Sequence, residues 1–183
     1  GNIPCVIFST MTRPSKDMIE LALKYHVPTF VTERTTSNLM AESIRWLGVQ
    51  LAPCISIHGV LVDVFGEGVL ITGESGIGKS EAALELVKRG HRLIADDAVE
   101  ICKVSTNTLV GTAPELIRNY IELRGIGIIN VAKLFGMGAV RSDKKIDLVV
   151  NIVPWNTHEV YDRLGLEDQH MDILGVKVPM YTI

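Results

Sequence analysis

The segment GESGIGKSEAALELVKRGHRLIADDAVEI, residues 73–101, decides the fold expected for this chain. It places Gly73, Gly78, Lys79 and Ser80 in the spacing G-x-x-x-x-G-K-[ST], which is typical of a phosphate-binding P-loop. The β-rich run VLITG precedes the loop, and the helix-forming run KSEAALELVKRG follows it and ends at Gly90. Because strand, loop and helix are the context that this motif requires, we predict an α/β domain that binds a nucleotide.

The loop also predicts how the nucleotide is held. Its glycines let backbone N–H groups turn inward around a phosphate, the following helix adds its positive end, and Lys79 adds a point charge. Ser80 is expected to place its hydroxyl on Mg²⁺. Because the sequence shows no structural partner for Lys79, we expect its substitution to weaken phosphoryl transfer more than fold stability. The predicted nucleotide-binding residues are Gly73, Glu74, Ser75, Gly76, Ile77, Gly78, Lys79 and Ser80.

Composition limits the class of protein. The chain has 183 residues, 47% of them hydrophobic, which is enough for one full core or for one domain and part of another. A formal net charge of -3 argues against a general nucleic-acid binder. The chain contains no apolar run of membrane-spanning length, and its first ten residues lack the layout of a signal peptide. We therefore predict a soluble, cytoplasmic protein without a membrane or nucleic-acid partner.

Cysteine and histidine spacing predicts neither a disulfide framework nor a structural metal site. The three cysteines, Cys5, Cys54 and Cys102, lie far apart among apolar residues and form no C-x-x-C pair. We expect them to be small buried hydrophobic residues in a reducing compartment. The five histidines are scattered, and HEVYD at His158 lacks the second histidine of H-E-x-x-H.

The first fifty residues alternate strand and helix patterns. The runs IPCVIFS and VPTFVT predict strands, and SKDMIELALKYH and NLMAESIRWLGVQL predict helices. This β-α-β-α fragment resembles the end of a larger domain, and we expect a boundary near QLAPCIS, which divides the chain at 1–47 and 48–183. The apolar face expected to be buried on the first helix comprises Met18, Ile19, Leu21, Ala22 and Leu23.

The second part of the chain is richer in strands. Residues 54–73 read as two or three strands with a hairpin turn at Gly66 and Gly68. Residues 91–104 predict a strand region, residues 121–136 a turn-rich segment that leads into a short helix, and residues 145–155 another strand. The expected architecture is a P-loop kinase domain with a central mixed sheet flanked by helices.

Asp96 and Asp97 follow Lys79 by only 17 and 18 residues. By residue type alone they are a solvated turn or a helix N-cap before AVEI. Their position favours function, because they end the apolar strand RLIA, and the carboxyl ends of strands line the ligand crevice in open α/β sheets. On an extended segment one of the two side chains faces the phosphates, where a carboxylate can hold Mg²⁺ or accept a hydroxyl proton.

Other nucleotide proteins fit less well. A GTPase-like switch needs D-x-x-G and N-K-x-D after the loop, and only DRLG at residues 162–165 is present. GIGIIN, residues 125–130, lacks the third glycine of a dinucleotide-binding motif. A nucleotide-gated binding module and a P-loop kinase for a small metabolite remain the alternatives to a protein kinase.

Five stretches together resemble the bacterial HPr kinase/phosphorylase family. They are SIHGVLVD, the loop segment quoted above, IELRGIGIINV, GAVR and YDRLGL. The resemblance implies an enzyme that phosphorylates a serine of HPr, the small phosphocarrier protein of the sugar phosphotransferase system, with ATP or pyrophosphate as donor. It also implies the removal of that phosphate by inorganic phosphate, which yields pyrophosphate.

The resemblance assigns roles residue by residue. Asp97 matches the residue that accepts a proton in the forward reaction and donates one in the reverse reaction. Asp96 matches the neighbouring residue near the metal. The other matches are His58, which supports that aspartate; the catalytic residues Lys79 and Arg163; the Mg²⁺ ligands Ser80 and Glu122; and residues 121–130, needed in both directions.

Residue type alone is less decisive for several of these positions. A lone histidine on a strand, such as His58, is more often structural. Glu122 and Arg124 are as well explained by an exposed pair on one strand face as by ligand duty. Arg163 is equally well explained as an exposed residue on a helix surface or as a cation that stabilises the transferred phosphoryl group. The family further implies a homohexamer, a fructose-1,6-bisphosphate effector and a longer chain at both ends.

Overall fold

A computed structural model describes residues 3–155 and 169–183 of the chain. The chain divides into two compact units, residues 1–51 and 52–183. The boundary expected after residue 47 lies four residues upstream of this division.

The first unit has the β-α-β-α order predicted from the sequence. Its elements are β1 (Val6–Phe8), α1 (Lys16–Lys24), β2 (Thr29–Val31) and α2 (Thr36–Gln50). The two strands pair in parallel. Each helix begins after a hydroxyl residue whose side chain accepts a hydrogen bond from the backbone, Ser15 for α1 and Thr35 for α2.

The prediction that α1 buries a broad apolar face is wrong for this unit. Met18, Ile19, Leu21 and Leu23 are exposed, and neither α1 nor α2 contains a buried residue. Two strands of three residues and one other helix offer too little surface to cover this face. The pattern identified the apolar residues but not a partner for them.

The second unit is built mainly from strands. Between them lie two short 3-10 turns, Glu115–Ile117 and Met137–Ala139. Of the helices in the described part of the chain, none is both long and apolar enough to span a bilayer. The elements are β3 (Cys54–His58), β4 (Val60–Val64), β5 (Glu67–Gly73), α3 (Lys79–Lys88), β6 (Arg92–Ala95), β7 (Ala98–Ser105), β8 (Thr108–Thr112), β9 (Tyr120–Leu123), β10 (Gly127–Asn130), α4 (Val131–Phe135), β11 (Asp143–Lys145), β12 (Leu148–Ile152), β13 (Gln169–Ile173) and β14 (Val176–Thr182).

The strands of this unit form a central mixed sheet, as predicted, and two further sheets. The six-stranded sheet has the order β13-β14-β12-β5-β4-β6, in which β12 runs parallel to β14 and to β5. A four-stranded antiparallel sheet has the order β11-β8-β7-β3, and β9 and β10 form a hairpin.

Strand β4 explains how the layers pack. Its consecutive side chains point to opposite faces of the sheet. Leu61 packs into an apolar cluster shared with the four-stranded sheet, whereas Val60 and Val62 pack into a second cluster that includes Ala83 and Val87 of α3. The central sheet therefore has the four-stranded sheet on one face and α3 on the other.

The strand predicted over residues 91–104 is two strands, β6 and β7, separated by Asp96 and Asp97. Asp97 adopts a left-handed backbone conformation with φ of 67°. The expectation that the aspartates lie on one extended segment is therefore wrong. The turn lets both side chains face the same cavity, which an extended segment would not.

Cys54 and Cys102 form a disulfide, which corrects the prediction of three unpaired, buried cysteines. They lie directly opposite each other on β3 and β7, and Cys54 is exposed. Their separation of 48 positions gave no pairing signal, because the pairing depends on the register of the two strands. Cys5 is free and half-buried.

Candidate active site

Residues 73–80 connect β5 to α3 in a conformation that depends on glycine. Gly73 has φ of 139°, and a Cβ there would lie 2.3 Å from the carbonyl oxygen of Ile152. Gly78 has φ of 107° and immediately precedes α3 without a side-chain cap. The first amides of the ten-residue α3 therefore lack a capping side chain and can bind an anion.

Lys79 is buried and bonded within the loop. It is 5% exposed, and its Nζ donates to the carbonyl oxygens of Gly73 at 3.0 Å and Glu74 at 2.8 Å. The expectation that Lys79 has no structural partner is therefore wrong. Its ammonium group supports the loop and lies where a bound phosphate would compete for its hydrogens.

Asp96 ties the loop helix to β9. Its carboxylate accepts a 2.7 Å hydrogen bond from Ser80 Oγ and a 2.9 Å bond from the Glu122 amide. Asp96 is only 3% exposed, and this burial raises its pKa above the ordinary aspartate value, against the opposing effect of the Glu122 and Ser80 bonds. The carboxylate thus holds the hydroxyl of Ser80 and the strand carrying Glu122 together.

Asp97 contacts His58 at the end of the β3–β7 ladder. His58 Nδ1 lies 2.9 Å from the carbonyl oxygen of Asp97 and 3.2 Å from its carboxylate. A carbonyl oxygen only accepts hydrogen bonds, so Nδ1 carries the hydrogen in this contact. Both side chains are exposed. The carboxylate is therefore oriented by the imidazole and remains accessible to a substrate.

Strand β9 and the turn that follows it direct two charged side chains toward the loop. Its buried residues Ile121 and Leu123 pack in the core, so Glu122 points to the opposite face. Arg124 follows on that face, and its Nη2 lies 1.8 Å from where a Cβ of Gly76 would stand. Gly76 has φ of 81°. The guanidinium group therefore lies against the loop at a position that only glycine leaves open.

One cavity of about 220 Å³ collects these groups. Of the predicted residues outside the loop, it contains His58, Asp96, Asp97 and Glu122. Its lining residues are His58, Val60, Ser75, Gly76, Gly78, Lys79, Ser80, Glu81, Asp96, Asp97, Glu122 and Arg124.

Three predicted nucleotide-binding residues, Gly73, Glu74 and Ile77, belong to the loop but not to the cavity wall. Arg163 lies outside the described residues. The family resemblance included Arg124 in residues 121–130, and residue type left it open between an exposed pair with Glu122 and ligand duty; its contact with Gly76 was not visible in the sequence. No motif indicated Glu81, which also lines the cavity.

The donor set suits a hard cation. The Ser80 hydroxyl and the carboxylates of Asp96 and Glu122 line the same cavity. Hydroxyl and carboxylate oxygens are ligands that Mg²⁺ prefers, usually together with water and substrate phosphates. The residues present therefore fit a magnesium ion bound with a nucleotide.

Comparison with known proteins finds two family models that match along this chain. The model of the HPr Serine kinase C-terminal domain matches residues 49–183, and that of the HPr Serine kinase N terminus matches residues 1–47. The HPr kinase/phosphorylase of Lachnoclostridium phytofermentans is 60% identical over 181 residues, which cover 99% of this chain and 59% of that protein. The HPr kinase/phosphorylase of Caldicellulosiruptor bescii is 54% identical over 182 residues, which cover 100% of this chain and 58% of that protein.

A solved structure is also similar. The Hpr(Ser) kinase/phosphatase from Coxiella burnetii matches with a TM-score of 0.64 and 37% sequence identity, over 70% of this chain and 78% of that one. The chain thus spans 58–59% of the length of the two curated relatives above. With both family models matched along its length, the chain belongs to the HPr serine kinase family.

Proposed function

We propose that this chain carries the catalytic site of a bifunctional HPr kinase/phosphorylase. In the forward direction it transfers a phosphoryl group from ATP or pyrophosphate to a serine of HPr. In the reverse direction inorganic phosphate removes that group and pyrophosphate forms. The observation that carries the proposal is that Asp97, oriented by His58, lines the same cavity as the P-loop residues Lys79 and Ser80.

Asp97 acts as the general base of the forward reaction. Its exposed carboxylate takes the proton of the serine hydroxyl while the serine oxygen bonds to phosphorus and the bond to the leaving phosphate breaks. In the reverse reaction inorganic phosphate attacks the phosphoserine. The carboxyl group then returns a proton to the departing serine oxygen, because transfer from pyrophosphate and its reversal by inorganic phosphate pass through the same transition state.

Positive groups stabilise the transferred phosphoryl group. Lys79 and the first amides of α3 lie on the loop, and Arg124 lies against Gly76. Charge spread over the phosphoryl oxygens in the transition state is stabilised by such fixed cations and amides. We assign this role to Lys79 and Arg124 and, from the family resemblance, to Arg163.

Ser80 and Glu122 would hold Mg²⁺, with Asp96 beside them. When bound, the ion neutralises charge on the phosphates of the donor. Asp96 keeps the Ser80 hydroxyl in place by accepting its hydrogen at 2.7 Å. The buried carboxylate therefore positions a ligand in addition to supplying oxygens itself.

The proposal extends to partners and location. HPr is the protein substrate, the assembly is a homohexamer, and fructose-1,6-bisphosphate is the effector, all as the family resemblance implies. Exposed apolar side chains on residues 126–137, including Ile128, Leu134 and Met137, support a subunit contact there.

A cytoplasmic location makes the reduced form of Cys54 and Cys102 the expected resting form. We also retain 1–47 and 48–183 as the domain division.

Incubation of the chain with labelled ATP, Mg²⁺ and purified HPr tests this function. We expect label on a serine of HPr, and its release as pyrophosphate when unlabelled inorganic phosphate is added. Label released only as free phosphate indicates a nucleotide hydrolase, and ATP binding without turnover indicates a nucleotide-gated module. Transfer to a small hydroxylated metabolite but not to HPr indicates the metabolite kinase. Each of these three outcomes contradicts the proposal.

A further inference from the structure

A second polar cavity, of about 350 Å³, lies at the opposite end of β6 from Asp96. It is formed by the end of β4, the β4–β5 turn, the residues that follow α3, the start of β6 and Arg141. Its lining residues are Asp63, Phe65, Gly66, Arg89, Gly90, His91, Arg92 and Arg141. None of these lines the P-loop cavity.

The charges in this cavity are unbalanced. Three guanidinium groups, those of Arg89, Arg92 and Arg141, surround one carboxylate, Asp63. Asp63 is 7% exposed and already bonded to Arg141 at 3.2 Å, with Lys144 at 3.8 Å. Among the described residues neither Arg89 nor Arg92 forms a salt bridge. In a chain of net charge -3, this leaves a local excess of positive charge.

Arg89 and Arg92 are not needed to cap the C-terminal end of α3. The carbonyl groups of its last turn accept hydrogen bonds from the backbone amides of Arg89, Gly90 and His91. Gly90 follows the helix with φ of 94°, as expected for a glycine at that position. Because backbone amides cap the helix, its end does not engage the guanidinium groups of Arg89 and Arg92, and the charge of Arg89 acts on Glu85 only beyond salt-bridge distance.

The backbone holds the cationic groups close together. Arg92 is the strand partner of Asp63 in the β4–β6 ladder, so their side chains share a face of the sheet. The Arg141 amide donates to the carbonyl oxygen of Leu93 at 2.9 Å, which fixes Arg141 beside β6. The positions of Arg92 and Arg141 are therefore set by the central sheet and not by a loose surface loop.

An aromatic pair forms one wall of the cavity. The ring of Phe65 meets the ring of His91 edge to face, with centroids 4.6 Å apart. His91 is 8% exposed, whereas Phe65 is 91% exposed on a turn with φ of 53°. A strained, exposed phenylalanine beside arginines offers an apolar surface to a bound molecule.

We propose that this cavity binds a small phosphate-bearing anion at a site separate from the P-loop. Arginine presents planar, paired donors that match phosphate oxygens, and Arg89 and Arg92 have these donors uncommitted to a salt bridge. A volume of about 350 Å³ is at the small end of ligand pockets, which suits a small anion. Four strand steps from Arg92 to Asp96 separate the two sites by about 13 Å.

Binding of pyrophosphate, measured by calorimetry with the P-loop blocked, tests this proposal. The loop is blocked in two ways: by saturation of the wild-type chain with a non-hydrolysable ATP analogue and Mg²⁺, and by Lys79→Ala. We expect one remaining site in both preparations, weakened about tenfold or more by Arg92→Gln or Arg89→Gln, because each loses a charge-assisted hydrogen bond. Arg45→Gln, which removes one exposed charge from the first unit, is the matched control and should bind normally.

Titration with glucose 6-phosphate and with sulfate identifies the ligand class. Tighter binding of the sugar phosphate than of pyrophosphate assigns an organic phosphate, and the reverse order assigns an inorganic one. The absence of a second site in the nucleotide-saturated chain overturns the proposal. So does equal weakening by Arg45→Gln, or binding of sulfate as tight as that of either phosphate. Because the readout is binding alone, it stands apart from any failure to phosphorylate HPr.

Discussion

The Nδ1 atom of His58 lies 2.9 Å from the backbone carbonyl oxygen of Asp97 and 3.2 Å from its carboxylate. The two residues meet because β3 and β7 pair, with His58 opposite Ala98. Both side chains are exposed, so the contact contributes little to the stability of the fold. Its consequence is positional: the imidazole orients an accessible carboxylate at the mouth of the P-loop cavity.

Replacing Asp97 by asparagine should separate binding from chemistry. We expect Asp97→Asn to bind ATP with unchanged affinity, because the lysine, glycines and helix amides of the loop remain. The rate of HPr phosphorylation should fall by about 10²- to 10⁴-fold, the usual contribution of a general base. Calorimetry of ATP binding and the initial rate of transfer to HPr measure the two effects.

Asp17→Asn, an exposed aspartate on α1, is the matched control for this change. It should leave both ATP binding and transfer to HPr unchanged. A wild-type rate of transfer in Asp97→Asn would contradict the assigned base.

Gly76 and Arg124 should behave as a single unit in catalysis. A Cβ at Gly76 would stand 1.8 Å from Arg124 Nη2, so Gly76→Ala must move the guanidinium group. We expect Arg124→Ala to lower kcat/KM about 10²-fold, as for the loss of one group that stabilises transition-state charge. Gly76→Ala should have a similar effect, and the double variant should be little worse than either single variant.

Gly138→Ala is the control for the added methyl group, because a Cβ there meets nothing within 4 Å and the backbone is not left-handed. Its kinetics should match the wild type. Fully additive losses in the double variant would show that the two residues act independently, which contradicts the coupling.

The sequence predicted those features that depend on contiguous residues. The loop at residues 73–80, the start of α3 and its end before Gly90 follow from local motif and capping rules, and the structure confirms these elements. Contacts across the sheet were not predictable in this way. The approach of Arg124 to Gly76 and the bond from Ser80 to Asp96 depend on how β9 and β6 are placed beside the loop.

Two wrong expectations have the same physical origin. The apolar pattern of α1 indicated which side chains tend to be buried, but burial depends on a partner that residues 1–51 do not contain. Hydrophobic neighbours likewise indicated buried cysteines, whereas the register of β3 and β7 brings Cys54 and Cys102 together. The periodicity of apolar residues describes a single helix or strand. Burial and disulfide pairing depend on a second element that packs or pairs with it.

Asp96 should make the stability of the chain depend on pH. Burial raises its pKa in the folded state above the ordinary aspartate value, so the folded chain holds this proton more strongly than the unfolded chain. The free energy of unfolding contributed by Asp96 is therefore greatest below the unfolded pKa and falls as pH rises through the folded pKa. We expect the wild type to lose unfolding free energy relative to Asp96→Asn as pH rises over that range. Urea unfolding of both proteins at several pH values measures this difference.

Asp143→Asn, an exposed aspartate on β11, serves as the control for this measurement. The wild type should not lose unfolding free energy relative to Asp143→Asn as pH rises over the same range. A wild type that gains stability over Asp96→Asn with rising pH would contradict the raised pKa.

Reduction of the Cys54–Cys102 disulfide should destabilise the oxidised chain. The bond joins residues 48 positions apart, and a cross-link over a loop of this length restricts the unfolded chain, with a typical stabilisation of about 2 to 4 kcal/mol. We expect the urea midpoint of the wild type to fall on reduction, as titration shows an increase in free thiols. Cys5→Ser should keep this dependence on reductant, and Cys102→Ser should lose it. An unchanged wild-type midpoint after complete reduction would show that the pairing of β3 with β7 needs no covalent support.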